Sequence, residues 1–82
     1  MFEVWITKYA LTQGIFKLIA RKTHSENMIE VETQRGSYYH GEGKEWHLTK
    51  ESAITYAENM RLKKIESLKK AIVKLEELDF NK

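Results

Sequence analysis

From Thr49 to Leu78 the chain reads TKESAITYAENMRLKKIESLKKAIVKLEEL, about thirty residues without a glycine or proline, and this pattern predicts one long helix. Thr49 supplies a start signal, because its hydroxyl can accept from the free amides of the first turn. Glu51 adds a negative charge at the positive end of the helix dipole. At about 100° per residue, Ala53, Ala57, Met60, Leu68, Ala71, Leu75 and Leu78 gather on one side, and Ile54, Ile65 and Ile72 widen that stripe.

Such a helix is too long for the globule it belongs to. At about 1.5 Å per residue it spans about 45 Å, whereas a compact chain of this length has a radius of gyration near 12 Å. Arg61 and Lys64 also fall inside the apolar arc, which marks a handover between two jobs. Before them, Ala53, Ala57 and Met60 suit close approach to a sheet. After them, Ile65, Leu68, Ile72 and Leu75 step by three, four and three, a short heptad seam that expects a partner helix.

The first half of the chain is of another kind. FEVWITKYAL (Phe2 to Leu11) is rich in β-branched and aromatic residues and predicts a strand. A break at Thr12-Gln13-Gly14 follows, and IFKLIARK (Ile15 to Lys22) completes a hairpin. MIEVET (Met28 to Thr33) alternates Ile29 and Val31 against Met28 and Glu30, as a strand with one wet face does. Tyr38 to His40 and Lys44 to Leu48 predict two more short extended segments around Gly41-Glu42-Gly43. The expected fold is α+β: an antiparallel β-meander of four or five short strands, followed by one long C-terminal helix packed on one sheet face. No linker or repeat divides it, so residues 1–82 are expected to form one domain, with the sheet in 1–48 and the helix in 49–79.

Charge separates two functional readings. The net charge is +2, and residues 1–48 carry six basic and six acidic side chains, so the excess belongs to the helix. Arg61, Lys63, Lys64, Lys69, Lys70 and Lys74 cluster there with Glu66 as the only acid among them, a stripe suited to phosphate contacts. The other reading is a solvated outer face. There is no cysteine, no apolar run long enough to cross a bilayer and no apolar leader block, so a soluble, cytoplasmic protein is expected.

Catalytic and metal chemistry find little support in the pattern. His24, His40 and His47 lack the spacing that aims two imidazoles at one ion, and are expected to be ordinary surface or edge-strand residues. Ser25, Ser37, Ser52 and Ser67 sit in no nucleophile motif, and the four glycines form no phosphate cradle. An enzyme would need His40, Glu42, Glu45 and His47 to converge, which nothing in the sequence demands. No catalytic residue, metal or cofactor is therefore assigned. The turn holding Tyr39, His40, Glu42 and Lys44 is the best exposed binding loop, and Tyr9 with Tyr38 or Tyr39 could present rings from an uncovered sheet face.

The segments Trp5 to Ile15, Tyr38 to Gly41, Trp46 to Thr49 and Ala57 to Arg61 together resemble small proteins of bacterial phages and mobile elements to which no reaction is assigned. The resemblance implies a bacterial, cytoplasmic, accessory setting and carries over no catalytic position. It favours an interaction role, with a host or element protein among the partners. The sequence reading is thus a non-catalytic interaction module forming a homodimer through Ile65, Leu68, Ile72 and Leu75. The alternative is a nucleic-acid-binding accessory protein that uses the basic stripe.

Overall fold

The computed structural model describes residues 1–81. Five strands, β1 (Phe2–Ile6), β2 (Phe16–Lys22), β3 (Met28–Val31), β4 (Tyr38–His40) and β5 (Trp46–His47), make one antiparallel sheet. A one-turn helix α1 (Ala10–Gln13) interrupts the first connection, and α2 (Lys50–Glu76) follows the sheet. This is the expected α+β arrangement. The sheet order is β4-β3-β2-β1-β5: four strands meander in sequence, and the fifth returns to the far side of β1.

The sheet curls until its own inward residues enclose the core. Val4 and Ile6 of β1, Ala20 of β2, Ile29 of β3 and Trp46 of β5 are buried together, with Phe2, Phe16, Leu18 and Tyr39 packed around them. The registers explain why these residues meet. Val4 pairs with Leu18, Ile6 with both Phe16 and Trp46, and Ile29 with Tyr39, so the inward set of each strand continues into the next. Trp46 draws the two ends of the sheet together. Its ring lies 6.3 Å from that of Phe2, and its Nε1–H donates to the Asn27 carbonyl, 2.9 Å away, in the turn between β2 and β3.

The first strand is shorter than the sequence pattern predicts. It stops at Ile6, because Thr7 turns away from β2 and donates its backbone N–H to the Glu45 carbonyl. Residues 10–13 then form the single helical turn, closed by Gly14 at φ 76°, a conformation that glycine takes without a Cβ penalty. The alternation from Phe2 to Leu11 is genuine, but Ala10, Leu11 and Gln13 are good helix formers and tertiary bonding decides their state. The third strand likewise ends at Val31, two residues before the predicted limit.

Helix α2 starts as expected: Thr49 is extended, and its Oγ1 accepts from the Ser52 N–H at 3.2 Å. Its first three turns pack against α1, β1 and β5. Ala53 is wholly buried, and Tyr56, Ala57 and Met60 are half-buried. The helix thus covers the β1 and β5 end of the sheet, while the curl supplies the remaining cover. From Arg61 onward every described residue is exposed. The molecule measures 61 × 26 × 20 Å with a radius of gyration of 17.6 Å, well above the roughly 12 Å of a compact chain of this length.

Candidate association surface

The projecting half of α2 owes its form to strong helix formers without a break, and its end is closed by Glu77, whose N–H bonds back to Val73 and Leu75 carbonyls. Around this half the side chains sort into two faces. With Ala53 at zero and about 100° per residue, the sheet-facing residues centre near 350°, and Ile65, Leu68, Ile72 and Leu75 centre near 80°. The apolar seam is therefore turned about a quarter of the way round the helix from the head. Its residues are 42%, 51%, 54% and 67% exposed in that order, and among the described residues no other element lies opposite them. Leu62, Val73, Leu78 and Phe80 are exposed as well.

The basic residues do not lie in one row along the helix. Lys63, Lys70 and Lys74 lie near 260° to 300°, on the side away from the seam. Arg61 falls in line with the seam and is held by Glu58 one turn back, which keeps the Glu58 carboxyl below its ordinary range by hydrogen bonding and charge. Lys64 and Lys69 flank the seam on its two sides. Lys70 is 3.7 Å from Glu66 on its own helix. Of the six residues expected to contact phosphate, three thus share an outward row, and three border the apolar face.

The head contains a smaller groove of about 320 Å³, lined by Thr7, Lys8, His40, Lys44, Glu45, Tyr56 and Met60. His40 and Lys44 of the expected binding loop reach it. Glu42 does not; its backbone bridges to Trp46. Tyr39 points into the core, and burial there raises the pKa of its hydroxyl. Lys8 links Tyr9 and Tyr39, with its Nζ 5.6 Å and 6.0 Å from their ring centres, and lies 3.9 Å from Glu45. Glu45 in turn accepts the His40 backbone N–H at 2.8 Å. His40 and Glu45 are therefore neighbours, whereas His47 lies behind Thr7 and Tyr56 and does not itself line the groove.

His47 is not the surface or edge-exposed residue expected from its spacing, since only 2% of it is accessible. Its Nδ1 is 2.7 Å from Ser52 Oγ, and its Nε2 is 3.1 Å from Thr7 Oγ1. Thr7 spends its one hydroxyl proton on the Lys44 carbonyl. The Thr7 oxygen must then accept, so Nε2 carries the imidazole proton and Nδ1 accepts from the Ser52 hydroxyl. Burial lowers the His47 pKa, opposed by the Lys44 backbone carbonyl and the Glu42 carboxylate, and the Tyr56 ring tilts against the imidazole at 5.2 Å. A serine hydroxyl on an imidazole is the pairing that activates nucleophiles, but the group behind this imidazole is a neutral hydroxyl instead of a carboxylate. The chain of bonds ties β1, the turn before β5 and the first turn of α2 together. No sequence motif announces it, because Thr7 and His47 are 40 positions apart.

Among the described residues no group of three or more His, Asp or Glu is placed to hold a metal ion, and no helix is long and apolar enough to cross a membrane. Comparison with protein-family models, curated proteins and solved structures finds no match for this chain.

Proposed function

We propose that the chain is a non-catalytic interaction module that associates with a second copy of itself through the distal half of α2. The observation that carries this reading is the seam of Ile65, Leu68, Ile72 and Leu75, four aliphatics in heptad spacing on a projecting helix with no described element of their own chain opposite them. Burying a large aliphatic is worth roughly 1.5–3 kcal/mol, so leaving four wet forgoes a large gain that a symmetric helix pair recovers. The resemblance to small phage and mobile-element proteins adds an accessory role in a bacterial cytoplasm, with a host or element protein as a further partner. Sedimentation of the wild type beside Leu68→Glu tests the reading: the wild type is expected to dimerise at tens of micromolar and the variant to run as a monomer.

A second reading has its own support. Lys63, Lys70 and Lys74 stand in a row away from the seam, so a paired helix still presents them to phosphates. Non-specific duplex binding that weakens steeply between low and moderate salt is expected on this reading, because no base-reading motif accompanies the row. Titration of a labelled duplex at two salt concentrations decides it, and no binding at either removes it.

A further inference from the structure

We infer that the helix pair is antiparallel, with Ile65 of one copy level with Leu75 of the other, and Leu68 level with Ile72. This inference rests on the self-association proposed above and concerns its direction and register. Spacing of three, four and three puts Ile65 and Ile72 at one kind of core position and Leu68 and Leu75 at the other. The seam is then flanked by Lys64 and Ala71 on one side and by Lys69 and Glu76 on the other.

In a parallel pair each residue preceding the seam meets the one five places further along the second copy. Lys64 would face Lys69 twice by symmetry, and Ala71 would face Glu76, so no opposite charges meet across the flanks. At the next seam position Arg61 would face Arg61. In the antiparallel pair the residues following the seam meet each other, and Lys69 faces Glu76 of the second copy, again twice. Lys64 then faces Ala71. Lys69 and Glu76 are available for this role: both are exposed, and among the described residues neither has an ion-pair partner in its own chain.

Charge reversal separates the two directions by sign. Lys69→Glu is expected to weaken the dimer about tenfold, because two attractive flank contacts become repulsive at once. Glu76→Lys is expected to do the same, and combining both changes to restore wild-type affinity. A parallel pair predicts the opposite for Lys69→Glu, since its carboxylate would then meet Lys64. The chain has no cysteine, so single thiols report geometry independently. Ile65→Cys mixed with Leu75→Cys should form an intermolecular disulfide on oxidation, and Leu75→Cys alone should not. A wild type that stays monomeric would defeat the self-association itself. A wild-type dimer that Lys69→Glu tightens or leaves unchanged, or in which Leu75→Cys cross-links to itself, would overturn the direction alone.

Discussion

Ala53 and His47 show how much one position contributes to seating a helix. Ala53 is fully buried where α2 meets the sheet, and a larger side chain there has no room. Ala53→Leu is expected to destabilise the fold by about 1–3 kcal/mol, read as a lower thermal midpoint; an unchanged midpoint would mean that the helix does not approach so closely. His47 gives a pH signature. Unfolded, it titrates near its ordinary 6.5, and burial lowers that value in the fold. Between the two values the unfolded chain binds a proton that the folded chain does not, so stability falls as pH drops below about 6.5 and stops falling from this source beneath the folded pKa. Denaturant midpoints across that interval should decline more steeply for the wild type than for His47→Gln, and equal slopes would refute the assignment. The Thr49 cap was readable in the sequence, because its donor lies three residues away. The bonds of His47 were not, because Thr7, although it follows the neighbouring strand β1, is 40 positions away in the sequence.

At the scale of elements, local pattern reported type better than extent. The long helix and the alternation in β1, β2 and β3 followed from spacing alone, since burial on one side dictates both periods. The end of β1 and the turn of α1 did not, because Thr7 leaves β2 to bond with the segment before β5. The return of β5 to β1 was equally hidden: two residues carry no periodicity, and their place depends on Trp46 spanning the curl. Trp46→Ala should therefore cost about 3–5 kcal/mol, the range for emptying a large aromatic site. Hydrogen exchange should quicken at the Thr7 amide, whose carbonyl partner is Glu45 next to Trp46. Protection retained there would show that β5 is held by something else.

For the whole molecule, the distinctive property is length. A curled sheet with a buried core occupies one end, and an exposed helix with an apolar seam extends from it, so the core and the proposed association surface belong to different parts of the chain. The exposed seam of Ile65, Leu68, Ile72 and Leu75, proposed above for association, was legible because heptad spacing needs no tertiary knowledge. The division of the basic residues into an outward row and a seam-flanking set follows from the same helical geometry. Because a partner that binds only the folded form adds stability by mass action, the melting midpoint of the wild type should rise with protein concentration. That of Leu68→Glu should not, and its cooperative transition should persist because Leu68 touches nothing in the head.

The most direct test of the central claim is sedimentation of wild type and Ile72→Glu side by side at tens of micromolar. Ile72 lies in the middle of the seam, is half exposed in the single chain, and supports no part of the sheet, so its replacement isolates association from folding. A dimeric wild type with a folded, monomeric Ile72→Glu is the predicted result. A monomeric wild type, or a variant that associates as strongly as the wild type, would contradict the account.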